Sequence, residues 1–330
     1  MSTTGVQPLK LLFVVGMPRS GTKLLRDLLN RNPAIAIFPH ETHFIPYLSA
    51  RFRRFGDVSR RENFARMYAE VRRTIFFERM IERGVVFEEA VWHGLLRGTQ
   101  FRDVIGALFE YYSKLTGCPI VGDKTPDYVT QVPLLHGMFP DAVFVHIIRD
   151  PRDYALSMHR AWGKSLDRAA HRWKHQIRKY RSDVASLRAH HCEIRYEDLI
   201  RSPQASLQSI CDELNVAFSD SMGSLSEPAE NLGRARGLLT IDAANSNKWR
   251  TELRLDQVAR IELIAGNLMA ELGYKVSATA GDQNLGPMQL LIHKLSDGIE
   301  LYRFRVRDCG GVLAAFRQAC KAYRYRGVAD

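Results

Sequence analysis

Apolar residues along this chain gather into short unbroken runs, separated by longer stretches of helical spacing. Residues 11–15, 34–38 and 118–121 are such runs, 142–148 is another interrupted only by His146, and a more mixed fifth segment runs from His191 to Tyr196. Runs this short, without polar alternation, predict strands covered on both faces, as in a parallel sheet. Between them the period changes. Leu24, Leu25, Leu28 and Leu29 mark the buried stripe of a helix that Asn30-Arg31-Asn32-Pro33 breaks. Residues from about 47 to 116 keep helical spacing with hardly any proline, and a basic helix is expected over 165–190, seated by Trp162 and Trp173. Further helices are expected from Ser202-Pro203 to Leu214 and up to Leu272, with Gly273 as cap.

Strands that alternate with helices predict an α/β fold with a parallel sheet of four to five strands and helices on both faces. We expect residues 1–275 to form one domain, with 47–116 as a helical insertion. Residues 277–285 read as a linker and 288–307 as an amphipathic helix. A basic stretch follows at Arg317, Lys321, Arg324 and Arg326, so 276–330 is expected as a linker and helical C-terminal extension. Packing on the domain or on a second subunit, as in a homodimer, is the preferred reading of that extension. Peripheral contact with an anionic membrane is the alternative.

The first apolar run turns through Gly16-Met17-Pro18-Arg19-Ser20-Gly21-Thr22-Lys23 into the first helix. A strand–glycine turn–helix unit aims backbone N–H groups and a helix N-terminus at one point, which suits a phosphate. The spacing is nearly that of a nucleotide triphosphatase loop, but Thr22 stands where its lysine belongs and no hydroxyl is placed for magnesium. The cation comes earlier, as Arg19. This predicts a P-loop-type fold built around a metal-free anionic donor.

Pro18-Arg19-Ser20-Gly21-Thr22 behind an N-terminal strand resembles the 5′-phosphosulfate loop of sulfotransferases that use 3′-phosphoadenosine 5′-phosphosulfate (PAPS). The likeness spans roughly residues 9 to 272 and is nearest to the glycan-type and tyrosylprotein enzymes. It implies that residues Gly16 to Lys23 hold the 5′-phosphosulfate. Arg149, in the strand-Arg-Asp-x-Arg element, and Ser157, eight residues on, would hold the 3′-phosphate. Arg152 is ranked lower, because Asp150 or Asp153 could claim it. Glu41, in a Glu-Thr context about twenty residues past the loop arginine, matches the base that takes the acceptor's proton, with His40 and His43 in reserve. Lys124, in Lys124-Thr125-Pro126, would neutralise charge on the leaving phosphate together with Arg19. Tyr196, in Tyr-Glu-Asp-Leu, would lie near the adenine, and Lys248, Trp249 and Arg250 loosely match a loop that closes on the nucleotide.

Composition narrows the partners. With 47 Lys and Arg against 36 Asp and Glu the net charge is +11, which favours acidic ligands. The five cysteines are scattered, which suggests reduced thiols and no zinc site. His171 and His175 stand one helical turn apart and read as a surface or core pair. The N-terminal apolar run is too short for a signal peptide and no stretch has the length of a transmembrane helix, so a cytoplasmic, bacterial protein is expected. The Arg/Phe interleaving of 51–55 carries no nucleic-acid recognition motif, and no nucleic-acid partner is expected.

The expected activity is in-line sulfuryl transfer from PAPS, with adenosine 3′,5′-bisphosphate as product, to a hydroxyl-bearing acceptor. A glycan, glycolipid or other natural-product alcohol or phenol is favoured. The alternatives are a magnesium-ATP small-molecule kinase, a tyrosylprotein sulfotransferase-like activity on peptides, and a non-catalytic nucleotide-binding module.

Overall fold

The side chains of β1 (Lys10–Gly16) divide between two cores, as the two-residue period of a strand requires. Leu11, Phe13 and Val15 enter one cluster, and Leu12 and Val14 the other. A strand with two buried faces must lie inside the sheet. The structure, a computed structural model that describes residues 9–228, 237–308, 310–313 and 316, puts it at the centre.

β2 (Ile35–Ile37), β3 (Ile120–Lys124), β4 (Val143–Ile148) and β5 (His191–Arg195) complete a five-stranded sheet of order β2-β3-β1-β4-β5. Every pairing is parallel. All five strands fall on the expected segments, but β3 is displaced. The apolar run suggested 118–121, whereas the strand extends through Asp123 and Lys124, which pair with Phe13 and Val14 of β1. The ladder's hydrogen bonds override side-chain polarity there, and two charged groups are carried to the carboxyl edge of the sheet.

The 47–116 region is not peripheral to the sheet. Its helices Arg61–Val71, Ile75–Glu82 and Phe101–Thr116 build the core that covers the odd-numbered face of β1. Aromatic rings fill it: Phe13 stacks on Phe144 at 5.5 Å between centroids and meets Phe109 edge-on at 5.9 Å. Phe38 packs on Phe109 at 5.3 Å and Tyr112 at 4.5 Å. The other face is closed by helices Thr22–Leu29 and Pro203–Leu214. A third core joins helices Pro151–Trp162, Leu166–Leu187 and Leu255–Glu271 around Tyr154, Trp173 and Ile264.

Residues 277–285 do not form a free linker. Lys174, fully buried, donates to the Gln283 carbonyl at 2.9 Å and pairs with the Asp282 carboxylate at 3.0 Å. The Gly281 amide bonds the Glu262 carbonyl at 3.0 Å, and a Cβ on Gly266 would meet that of Ala280 at 2.5 Å. A buried ammonium needs acceptors on all sides, and this strap supplies them. Beyond it the expected amphipathic helix forms as Pro287–Asp308. Arg317, Lys321, Arg324, Arg326, Cys309 and Cys320 lie outside the described residues, and the other three cysteines are free thiols. Among the described residues no helix is long and apolar enough to cross a membrane.

Phe13→Ala empties the junction of sheet and aromatic layer. It should lower unfolding free energy by about 3–5 kcal/mol, read by urea denaturation; a loss under about 1 kcal/mol would mean that the layer is not packed as described.

Candidate active site

In the order β2-β3-β1-β4-β5, the chain leaves β1 toward β2 on one side and leaves β4 toward β5 on the other. A crevice opens where such connections part, outside the carboxyl ends of the two strands. β1 contributes the loop 17–21 there and β4 contributes Arg149. The loop turns tightly, with the Ser20 amide on the Met17 carbonyl at 3.1 Å. Arg19 sits at φ 70°, a left-handed conformation that is uncommon outside glycine and strained by order 1–3 kcal/mol. Gly21 follows at φ 91° as the cap of Thr22–Leu29, and a Cβ there would fall on the Tyr196 ring.

Arg149 ties the strained loop to the rest of the site. One guanidinium nitrogen donates to the Arg19 carbonyl and the other to the Asn245 carbonyl, both at 3.0 Å. The guanidinium also lies 4.5 Å from the centre of the Tyr196 ring. Arg19 Nε in turn reaches Ser157 Oγ at 3.3 Å. The 245–249 segment is held by side chains from the core. Asp153 accepts from the Asn247 amide at 2.6 Å and the Trp249 amide at 3.0 Å, Asn245 Nδ2 donates to the Tyr196 hydroxyl at 2.7 Å, and Lys248 donates to the Asn245 side chain.

Arg152 is a structural residue. It is buried between Asp150 and Glu262, each at 2.6 Å, and donates to the Lys275 carbonyl at 3.0 Å. Of the two partners weighed from sequence, Asp150 is therefore correct and Asp153 is not; Glu262, 110 residues away, carried no local signal. The Arg152 and Arg250 guanidiniums lie 3.8 and 4.5 Å from the Trp249 ring centre. Lys23 is turned outward onto the Pro228 carbonyl at 3.3 Å.

The second half of the site lies at the end of β3. Arg26 of the first helix donates to the Pro39 carbonyl, and the Asn30 side chain brackets Ile37 by bonds to its amide at 2.6 Å and carbonyl at 3.0 Å. The chain after β2 is thereby pinned, and Glu41 meets Lys124. That ammonium is buried and paired with Glu41 Oε1, while His43 Nε2 lies 2.7 Å from Oε2. His43 is itself left-handed, at φ 43°, which turns the chain so that its ring reaches back to Glu41. His40 makes no such contact in the described geometry, and burial together with the Arg26 charge pushes its imidazole down. Burial opposes the ionised Glu41, yet Lys124 and then His43 outweigh it and hold the carboxyl well below the usual carboxylate range.

Beneath the pair lies a buried polar knot. Thr42 Oγ1 bonds Asp123 Oδ2 at 3.0 Å and the Tyr128 hydroxyl at 2.7 Å, and the Thr42 amide donates to Thr125 Oγ1 at 3.1 Å. Burial pushes the Asp123 carboxyl up to about 6, against the hydrogen bonds from Thr125 and Thr42. Sequence reasoning singled out neither Thr42 nor Asp123, although Glu-Thr and Asp-Lys-Thr-Pro were the motifs in view.

The residues present fit a nucleotide anion. Among the described residues, Ser20 Oγ, Arg149 Nε and Trp249 Nε1 are buried without a hydrogen-bond partner, and all three belong to the loop–Arg149–245–249 cluster. A profile of the sulfotransferase family matches residues 12–220 of the chain. The chain belongs to the sulfotransferase family.

As a sulfotransferase it shares 25% identity with the nodulation protein NoeE of Sinorhizobium fredii over 82% of this chain and 68% of that one. It shares 23% with protein-tyrosine sulfotransferase 1 of Danio rerio over 80% and 72%, and 24% with human carbohydrate sulfotransferase 2 over 47% and 39%. Its fold is similar to that of the sulfotransferase domain from the curacin biosynthetic pathway. The TM-score is 0.53 and the identity 20%, with 82% of this chain and 99% of that one covered. The enzyme is a PAPS-dependent sulfotransferase, and its P-loop lies on the five-stranded parallel sheet expected for it. The His171 and His175 rings lie 4.2 Å apart between centroids, tilted by 46°, and His175 takes Asn284 as partner at 3.1 Å.

Two measurements check this geometry. Gly21→Ala must strain a left-handed residue and push Tyr196 aside, so it should cost about 1–3 kcal/mol. Gly21→Ala combined with Tyr196→Ala should lose less than the sum of the single losses, because the shared clash is relieved.

For Asp123 the folded protein keeps a proton between pH 3.8 and about 6 that the unfolded chain releases. Its contribution therefore makes stability fall as pH rises through that window. Asp123→Asn removes this titration: the stability of the native sequence minus that of the variant should fall by roughly 2–3 kcal/mol across it in urea melts. A flat difference would mean that the carboxyl is not buried in this knot.

Proposed function

We propose that the sulfotransferase moves a sulfuryl group from PAPS to a hydroxyl of a glycan, glycolipid or other natural-product acceptor, with Glu41 as general base. The observation that carries this reading is the pairing of Glu41 with a buried Lys124 one strand away from the phosphate loop. PAPS, when bound, supplies an activated sulfuryl group and a stable bisphosphate leaving group. The loop amides of Gly16, Pro18-flanked Met17, Ser20, Gly21, Thr22 and Lys23, with the Ser20 hydroxyl, would hold its 5′ side. Arg149 through its unpartnered Nε, with Ser157, Lys248, Trp249 and Arg250, would hold the 3′-phosphate and base, and Tyr196 would lie at the adenine.

The resting ion pair has a chemical consequence. While Lys124 and His43 sit on Glu41, the carboxylate is ionised but a weak base. Once Lys124 turns to neutralise charge on the leaving-group side, with Arg19, Glu41 keeps His43 alone and its proton affinity rises. The base would then gain strength only when the donor is in place, which disfavours deprotonating an acceptor beside an empty loop. Thr42, fixed by Asp123 and Tyr128, anchors the backbone next to Glu41. The acceptor class rests on the likeness of the Glu-Thr and Lys-Thr-Pro elements to glycan-type enzymes, and relatives named for both carbohydrate and protein-tyrosine sulfotransfer are consistent with a hydroxyl acceptor.

Adenosine 3′,5′-bisphosphate in EDTA should raise the melting temperature by roughly 2–5 °C at saturation, and ATP with magnesium should not match it. Glu41→Gln should keep that shift while turnover of PAPS on a panel of sugar and phenol acceptors drops about a hundred- to ten-thousand-fold. A variant with near-normal turnover would remove Glu41 as the base, and stabilisation by magnesium-ATP alone would overturn the donor assignment.

A further inference from the structure

The helix Pro287–Asp308 has two faces with different fates. One is docked on helices Pro151–Trp162 and Leu166–Leu187. Its anchor is Asp297, buried, which accepts from the Ser165 amide at 2.8 Å and from Arg168 at 2.7 Å. Leu290 packs into the third core on the same side. The backbone approaches closely at Gly163, where a Cβ would stand 2.8 Å from that of Glu300. An attachment through a buried, ion-paired carboxylate fixes the helix in rotation as well as position, so what it shows to solvent is determined.

The opposite face is apolar and bare. Met288, Leu291, Ile292, Leu295, Ile299 and Tyr302 follow i, i+3, i+4, i+7 spacing over four turns and are 42–70% exposed. An uninterrupted stripe of this kind is not the scattered surface leucine of an ordinary monomer. Helical spacing sets Lys294 and Arg305 along one edge of the stripe and Arg303 and Arg307 along the other. Of the helix's carboxylates with described side chains, Asp297 is taken by Arg168 and Glu300 by Arg303, and the stripe itself carries none.

These charges select the occupant. A second copy would pair the stripe with itself about a two-fold axis and bring cationic edge against cationic edge, where Glu300 is already engaged by Arg303 of its own helix. A bilayer with anionic headgroups complements both features, since the apolar side chains enter the headgroup boundary while flanking Lys and Arg reach phosphates. We propose that Pro287–Asp308 docks this enzyme on an anionic lipid surface, lying in the interface and not spanning it.

The test is co-sedimentation of the full chain with vesicles of phosphatidylcholine alone and of equimolar phosphatidylcholine and phosphatidylglycerol. Binding is expected to the mixed vesicles, weakened by salt, and at least about tenfold poorer to the neutral ones. Leu295→Asp with Ile299→Asp, and separately Lys294→Glu with Arg307→Glu, should each lower that binding by about tenfold or more. Both should leave the melting temperature and its shift with adenosine 3′,5′-bisphosphate unchanged, so the outcome stands apart from the donor assignment. Binding to mixed vesicles that survives Leu295→Asp with Ile299→Asp would overturn the proposal. So would absence of vesicle binding by the native sequence. If sedimentation velocity then shows a dimer that this variant dissociates, the stripe belongs to a second copy.

Discussion

The site depends on the bond from Arg149 to the carbonyl of Arg19. A left-handed arginine is held where glycine would be easier, because its side chain must face Ser157 while its amide neighbours line the loop. Strain of that size persists only when surrounding groups over-determine it. Arg149 does so from the end of β4, and Trp173 fixes Arg149 in turn through a hydrogen bond to its carbonyl at 2.9 Å. The guanidinium is also the junction to Tyr196 and to the 245–249 segment. One cation therefore joins three stretches of chain that have no sequence proximity.

A different electrostatic logic governs the end of β3. Lys124 is buried against the Glu41 carboxylate, and Glu41 is held ionised by it. Next to this pair Asp123 points into the core with a raised carboxyl, bonded only by hydroxyl and amide donors. Two acids separated by one buried lysine are thus driven in opposite directions by environment alone. The outer one stays partly exposed, and the inner one holds Thr42, and through it the Glu41 backbone, in place.

The aromatic layer and the C-terminal helix show what the remaining chain contributes. Phe13, Phe38, Phe109 and Phe144 lock the 47–116 helices to the sheet in one continuous aromatic core. That region is rich in Arg and Glu, while its rings do the packing. Lys174 and Asp297 perform the same service for the strap and the last helix, each by burying one charge against a distant partner.

Local signals carried much of this protein. Apolar runs located four strands and a mixed segment the fifth, the glycine turn located the phosphate loop, and the motifs around Arg149 and Lys124 lie where the sheet ends. These are legible because strand burial and tight turns constrain residue type within a few positions. Tertiary structure alone decided that β3 reaches Lys124, that Arg152 belongs to Glu262, that Thr42 and Asp123 support the acid, and that residues 277–285 form a strap. Each of those depends on a partner between 81 and 110 residues away, or on another strand's hydrogen bonds, and pairings at that distance leave no periodicity in the chain. The sequence by itself determined which fold and which anion loop this protein has; the register of a parallel sheet and the burial of single charges decided which side chains meet.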